Sequence, residues 1–272
     1  MKLGIFETVL ARPTFAATLD AVTAAGFGVI QLDYASPGLD SMPSAIPADV
    51  QATIRDETVA RGIEIAGLHG TYNMIHPDLE VRAAGIASLR ALAASCAATG
   101  TSIIALSTGT RDATNMWRRH PENDSPEAWD ALIEELTKAL AIADEFGVTL
   151  AFEPEPANVA KSAVKARELL DQVHHPRLKI CFDAANIAAS DLTRDPRLVI
   201  DDAFELLGDD IVLAHGKDIT ASGEFCPAGT GIVPWAWCIE RLGEIGYDGA
   251  LILHSLKEAD IPRAVAAMTP GT

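Results

Sequence analysis

The sequence has few basic residues, and this shortage excludes a class of partner. Its 272 residues include 21 Lys or Arg against 38 Asp or Glu, which gives a formal net charge of −17. Proteins that bind nucleic acid concentrate Lys and Arg against the phosphates. We therefore expect no nucleic acid partner.

Cysteine is also scarce, and its spacing excludes two kinds of small scaffold. The four cysteines are Cys96, Cys181, Cys226 and Cys238, and none of them forms a CxxC pair. Zinc knuckles and disulfide frameworks both need closely spaced or numerous cysteines. Reduced thiols in a cytoplasmic protein are therefore the expectation.

Long apolar runs are nearly absent, which argues against a membrane protein. Glu7, Arg12 and Pro13 interrupt the N-terminal region where a secretory leader would be apolar. One uncharged run, 91–110, is long enough to span a bilayer, but its middle reads "SCAATGTS". This polar, glycine-containing stretch predicts a helix end, a turn and a strand, and we expect no membrane partner.

What the sequence does contain is a series of short apolar runs. Eight of them recur along the chain, and 272 residues divided by eight gives 34 per unit, enough for a strand, a loop and a helix. The runs are "LGIF" from Leu3, "VIQLD" from Val29, "IEIAGLH" from Ile63, "SIIALS" from Ser102, "VTLAFE" from Val148, "LKICFD" from Leu178, "DIVLAH" from Asp210 and "ALILH" from Ala250.

Helical patterns lie between these runs. The clearest begins at Ser125 and Pro126, an N-cap and a first-turn residue, and ends at Gly147. The strands are almost continuously apolar, as in parallel sheets covered on both faces. These features predict an α/β fold, a (β/α)₈ TIM barrel, with residues 1–272 forming a single domain. A doubly wound open sheet is the alternative, but no glycine-rich dinucleotide fingerprint follows the first run.

Polar residues end several of the predicted strands. Glu153, Asp183, His215 and His254 end four successive ones, and a closed barrel would direct all four toward its axis. Taken singly, each acid could cap a helix and each histidine could be a hydrogen-bonded structural residue. Together, two carboxylates so close would repel each other, and a divalent cation (Mn²⁺, Mg²⁺, Zn²⁺ or Co²⁺) would resolve this. We therefore predict a metal site formed by these four residues.

Four stretches carry a resemblance to a known family. The chain resembles the sugar phosphate isomerase/epimerase superfamily, whose members have a xylose isomerase-like TIM barrel. The likeness extends over essentially the full length and is most specific in "HGKD" together with a glutamate ending the fifth strand. The matching stretches are "GVTLAFEPEP", "KICFDAANI", "LAHGKD" and the glycine-rich "AGTGIVPW".

The resemblance implies three metal ligands, Glu153, Asp183 and His215. Two positions depart from the family pattern. Members usually have a glutamate, both ligand and acid/base, where this chain has His254, and many have Asp-x-x-His where this chain has Asp183 followed by Asn186. The fourth ligand, and an epimerase mechanism that uses two glutamates, are therefore open at this stage.

Three residues are candidates for catalysis. A cation chelated by two substrate oxygens polarises a carbonyl and acidifies the adjacent C–H, so that a base can form an enediolate. Glu153 is the candidate for both ligand and base. Lys217 would stabilise the oxyanion, unless it only pairs with Asp218. His69 would bind a hydroxyl or transfer a proton, unless it caps a loop.

Four further residues are candidates for substrate binding. Arg111 would anchor an anionic group, or alternatively pair with Asp112. Glu155 is a second carboxylate, which could equally face solvent. Trp117, in the long loop after the fourth strand, would form an apolar wall for a sugar ring, and Asn186 follows the sixth strand.

The leading hypothesis is a metal-dependent isomerase or epimerase that acts on a small polyhydroxy compound. A metal-dependent dehydratase of a keto-inositol-like substrate is the alternative, because a histidine in place of the last glutamate suits a one-base elimination. Phosphodiester hydrolysis, known in a DNA-repair family with this barrel, fits poorly with seven histidines and the −17 charge. A non-catalytic sugar-binding barrel and a homo-oligomer that pairs through the rim loops are also open.

Overall fold

The computed structural model describes residues 1–269, so the last three residues of the predicted domain, 270–272, lie outside the described part. Its strands follow the eight apolar runs closely, with one short hairpin in addition. They are β1 (Lys2–Phe6), β2 (Val29–Leu32), β3 (Glu64–His69), β4 (Ile103–Ser107), β5 (Thr149–Glu153), β6 (Leu178–Asp183), β7 (Ile211–Gly216), β8 (Asp218–Ile219), β9 (Phe225–Cys226) and β10 (Ala250–Leu253).

Eight of these strands close into a parallel barrel, which confirms the predicted fold. The order around the barrel is β1-β10-β7-β6-β5-β4-β3-β2, and β1 completes the ring by pairing with both β10 and β2. The parallel register brings the ends of neighbouring strands to one rim; Ser107 lies opposite Glu153, and Asp183 lies opposite His215. The antiparallel hairpin β8–β9 lies outside the barrel and was not predicted.

Helices cover the outside of the barrel, and their ends follow the capping residues. Ser125 accepts a hydrogen bond from the main chain of Ala128 at one N-terminus, and Gly147, at φ +71°, ends the same helix. The helices are α1 (Phe15–Ala24), α2 (Ala48–Arg61), α3 (Leu79–Thr99), α4 (Pro126–Phe146), α5 (Ala163–Val173), α6 (Ala184–Ala189), α7 (Pro196–Leu207), α8 (Trp235–Glu244) and α9 (Ile261–Met268).

Strand alternation divides the core into two layers. Ile104 and Leu106 face the helices, whereas Ala105, between them, faces the inside of the barrel. Ala151 and Cys181 are also in the inner layer and are fully buried. Ala105, Ala151 and Cys181 have small side chains, so this part of the inner layer leaves space for the polar groups at the C-terminal rim.

Within the described residues, α3 alone is long and apolar enough to cross a membrane. It packs between α2 and α4 on the barrel. The uncharged run 91–110 divides as predicted, because α3 ends at Thr99, Gly100 takes a left-handed conformation and β4 begins at Ile103.

Candidate active site

A cavity of about 370 Å³ opens at the C-terminal ends of the barrel strands. This rim is where barrel enzymes carry their catalytic groups. Side chains from most of the strands contribute to the cavity wall. The lining residues are Phe6, Gln31, His69, Thr71, Ala105, Leu106, Ser107, Trp117, Glu153, Glu155, His215, Lys217, Phe225, His254 and Ser255.

Glu153 and His215 are in direct contact on the cavity wall. His215 Nδ1 lies 2.8 Å from Glu153 Oε2, and His215 Nε2 lies 2.7 Å from Gln31 Oε1. The second carboxylate oxygen of Glu153 accepts a hydrogen bond from Asn186 Nδ2. Glu153 and His215 are therefore both fixed in orientation by neighbouring side chains.

Asp183 is fully buried below the cavity, at the junction of β6 and α6. Its Oδ1 accepts hydrogen bonds from the main-chain N–H groups of Ala185, at 2.9 Å, and Asn186, at 3.1 Å. Its Oδ2 lies 3.2 Å from His254 Nε2. Asp183 thus caps α6, as a strand-end acid often does, and also reaches the polar cluster.

Lys217 lies between the two carboxylates. Its Nζ is 3.2 Å from Asp183 Oδ2 and 3.6 Å from Glu153 Oε1, and the lysine is buried. Burial lowers the pKa of Lys217, but the surrounding carboxylates outweigh it and hold the pKa above its ordinary range. Lys217 therefore remains cationic. It offsets part of the repulsion between Glu153 and Asp183, which the sequence analysis expected a divalent cation to offset.

Lys217 and the neighbouring histidines keep Glu153 and Asp183 ionised. Burial raises the pKa of Glu153 and of Asp183, but neighbouring side chains outweigh this effect through charge and hydrogen bonds and leave both pKa values below their ordinary range. For Glu153 the main compensating groups are His215 and Lys217; for Asp183 they are Lys217 and His254. Ionised carboxylates beside imidazoles are what a divalent cation requires.

The donor set fits a divalent cation. Ligating atoms of Asp183, His215 and His254 all lie within 4.8 Å of one another, and Glu153 is in contact with His215. Two carboxylates and two imidazoles suit Zn²⁺, Mn²⁺ or Co²⁺. His254, which replaces the family's usual glutamate, therefore lies where it can join the ligand set.

His69 and Glu155 line the cavity and have altered pKa values. Burial lowers the pKa of His69, so that it favours the neutral imidazole. Burial, together with the charge of Glu153, raises the pKa of Glu155 to about 8. Glu155 is buried and accepts a hydrogen bond from Asn158 Nδ2 at 3.2 Å, so it does not face bulk solvent.

Two aromatic side chains flank the cavity mouth. Trp117 comes from the loop after β4 and Phe225 from the hairpin β8–β9, and they remain 55% and 49% exposed although both line the cavity. Phe225 also covers Lys217, whose Nζ lies 4.4 Å from the ring centroid. The sequence predicted an apolar wall formed by Trp117, and in the structure Phe225 is a second aromatic side chain at the cavity mouth.

Two of the candidate residues lie away from the cavity wall. Arg111 donates hydrogen bonds to the main-chain carbonyl groups of Ile75, at 3.3 Å, and Glu127, at 2.9 Å. It pairs neither with a cavity residue nor with Asp112, which is bound by Arg118. Asn186 is buried and contacts Glu153 without lining the cavity.

Asp218 has a role other than pairing with Lys217. Its Oδ1 accepts from the N–H of Val233, at 2.9 Å, and its Oδ2 from that of Gly229, at 3.0 Å. A Cβ at Gly231 would lie 2.3 Å from Asp218 Oδ1, so only glycine allows this close approach. The glycine-rich stretch "AGTGIVPW" is therefore a loop held against the hairpin by Asp218.

Gln31 and Ser107 line the cavity but were missed in the sequence. Gln31 lies inside β2 and not after it, in the otherwise apolar run "VIQL". Ser107 is the last residue of β4, and its buried Oγ has no hydrogen-bond partner among the described residues. A polar residue within a buried strand was the available signal for both.

The fold and the site define a barrel enzyme with a charged active-site cavity. The chain belongs to the xylose isomerase-like TIM barrel family, whose model matches residues 19–269. The position of the cavity and its buried ionised groups agree with this membership.

Solved structures of similar fold span nearly the whole chain. The 3-keto-D-glucoside 4-epimerase from E. coli is 16% identical with a TM-score of 0.75, and 98% of each chain is covered. The probable 3-DHS dehydratase involved in petrobactin synthesis from Bacillus anthracis is 18% identical with a TM-score of 0.74, covering 98% of this chain and 97% of that one. A structure of the IolI protein with a bound zinc atom is 15% identical with a TM-score of 0.74, covering 98% and 95%.

Proposed function

We propose that the protein is a divalent-metal-dependent isomerase or epimerase of a small sugar or sugar-derived polyol. One observation carries the proposal: Glu153, Asp183, His215 and His254 meet with Lys217 at one cavity. Family membership and the sugar epimerase among the similar structures support the substrate class. The zinc atom in the IolI structure supports the metal.

The four cluster residues would hold the cation. Bound there, it would polarise a substrate carbonyl and acidify the adjacent C–H. Glu153 and Asp183 would bind it as ionised carboxylates, and His215 and His254 as neutral imidazoles. Zn²⁺, Mn²⁺, Co²⁺ and Mg²⁺ are the candidates.

Other residues of the cavity would act on the substrate. Lys217 stays cationic and can stabilise the oxyanion of an enediolate. His69, neutral at its cavity position, can accept the proton, as can Glu153. Glu155 and Ser107 can hydrogen-bond substrate hydroxyl groups, and Trp117 can cover an apolar face of the sugar.

A reaction in deuterated water tests the chemistry. The metal-supplemented protein is incubated with a panel of ketoses, and the products are followed by NMR and mass spectrometry. An isomerase or epimerase incorporates deuterium at carbon and releases a product of the same composition. A panel that yields neither exchange nor product would contradict the proposal.

A dehydratase is the second candidate, and one observation favours it. His254 stands where the family usually has a second glutamate, and its Nε2 lies 3.2 Å from Asp183 Oδ2. This position therefore supplies an imidazole in place of a second carboxylate base. A single carboxylate base is sufficient for elimination of water next to a carbonyl, and the similar 3-DHS dehydratase supports this class. Loss of 18 mass units with a new enone absorbance would assign this reaction instead.

A further inference from the structure

We propose that the substrate is uncharged, a sugar or polyol that carries neither phosphate nor carboxylate. The inference rests on the proposed function, because it concerns what the same cavity accepts. Among the described residues, Lys217 is the only lysine or arginine that lines the cavity. Its ammonium group is already held by Asp183 and Glu153. The part of the chain that the structure describes places no second lysine or arginine on the wall to anchor an anionic group at the far end of a substrate.

The arginines of the nearby rim loop are engaged elsewhere. Arg111 donates to main-chain carbonyl groups, Arg118 binds Asp112 and Arg119 binds Asp124. Each of these guanidinium groups would have to break its contacts to bind a phosphate or carboxylate.

Other cations of the rim loops are also off the cavity wall: Arg12 pairs with Glu258, and Lys161 pairs with Asp124. Lys257 is exposed in the loop after β10 and is not among the residues that line the cavity.

Main-chain amide groups of the loop after β7 are also engaged. Barrel enzymes frequently bind phosphate on amide groups of the loops after the seventh and eighth barrel strands, which in this chain are β7 and β10. In this chain the loop after β7 directs the N–H groups of Gly229 and Val233 onto the carboxylate of Asp218. Asp218 thus occupies the donors that a phosphate would need, and its own charge would repel one.

What the cavity does offer is suited to a neutral sugar. Gln31, Thr71 and Ser107 supply uncharged hydrogen-bonding groups, and Trp117 and Phe225 supply aromatic faces at the mouth. Aromatic faces pack against the C–H faces of sugar rings, and a few uncharged polar groups fix the hydroxyl groups.

Calorimetric titration with matched sugars tests the inference. The Mn²⁺-loaded protein is titrated with D-tagatose and its 6-phosphate, with D-fructose and its 6-phosphate, and with D-glucose and D-glucuronate. We expect the neutral member of a pair to bind at least about tenfold more tightly, because the anion finds no partner. Inorganic phosphate is expected not to displace the neutral sugar.

Paired tryptophan variants locate the binding. Trp117→Ala is expected to weaken binding of the neutral sugar, and Trp129→Ala, on α4 and away from the cavity, where the indole N–H donates to Gln172, is the control that leaves it unchanged. Equal or tighter binding of a phosphorylated or carboxylated member, with turnover, would overturn the inference and leave the proposed function standing. Failure of every sugar in the panel to bind would overturn the proposed function and the inference together.

Discussion

Gln31 and His215 are joined by a contact of 2.7 Å between the amide oxygen and Nε2. Gln31 presents its amide oxygen, which can only accept, so Nε2 is the donor of this contact, and Nδ1 faces the Glu153 carboxylate. A histidine that ligates a metal commonly donates its other N–H in this way. Under the proposed function, Gln31 would hold the ring of His215 so that Nδ1 could bind the cation together with Glu153.

Replacing Gln31 with leucine is expected to weaken metal binding while leaving the fold intact. Loss of such a supporting hydrogen bond typically costs about 10- to 100-fold in affinity. Calorimetric titration of Mn²⁺ or Zn²⁺ measures this without substrate. Gln31→Glu, which keeps an acceptor at the same place, is expected to restore most of the affinity. An unchanged affinity in Gln31→Leu would show that the contact has no role in coordination.

Replacing Lys217 with methionine is expected to slow catalysis more than it weakens binding. If Lys217 stabilises an oxyanion, kcat falls by about 10²- to 10³-fold with little change in KM. The measurement uses excess metal, because Lys217 also offsets the charges of Asp183 and Glu153. Lys165→Met, on the outer surface beside Glu168, is the matched control. A rise in KM at constant kcat would assign Lys217 to ground-state binding.

Glu7 is expected to make the stability of the protein depend on pH. Burial raises its pKa from the ordinary 4.5 to about 8, so the folded protein keeps a proton that the unfolded chain releases. The free energy of unfolding therefore falls as the pH rises from about 4.5 to about 8, and the loss is complete above that window.

Glu7→Gln should remove this dependence. Glutamine keeps the acceptor for the main-chain N–H of Asp33 and does not ionise. Relative to wild type, the variant should gain up to about 1.4 kcal/mol per pH unit across the window. Denaturant unfolding at several pH values measures the difference, with the exposed Glu240→Gln as control. A difference that does not vary with pH would contradict the effect.

The sequence was informative about the barrel because each strand has a local signal. All eight barrel strands coincide with the apolar runs, since burial on both faces demands apolar residues at every position. The hairpin β8–β9 has only two residues in each strand and exposes Phe225, so no apolar run marks it. Its position depends on hydrogen bonds from Gly229 and Val233 to Asp218, 11 and 15 residues apart in sequence, and no short pattern marks them.

Site residues could be predicted from the sequence where they end a barrel strand. They could not be predicted where the direction of the side chain decides whether it reaches the cavity. Closure of the barrel brings His215 and His254 to one rim, with ring centroids 4.6 Å apart, as the strand ends led us to expect. Glu7 also follows a strand, but it is buried, accepts a hydrogen bond from the main-chain N–H of Asp33 and does not line the cavity. Arg111 lies in a loop, where spacing cannot say which way a side chain points.

The metal content of the purified protein tests the central claim most directly. Wild type and Glu153→Gln are dialysed against Mn²⁺, freed of excess ion and measured by elemental analysis, with circular dichroism to check the fold. The exposed Glu145→Gln, which alters only a surface pair with Arg90, is the matched control. The account predicts about one ion per chain in wild type and the control, and almost none in a folded Glu153→Gln. A wild-type protein that retains no divalent ion, or a Glu153→Gln variant that retains a full complement, would contradict it.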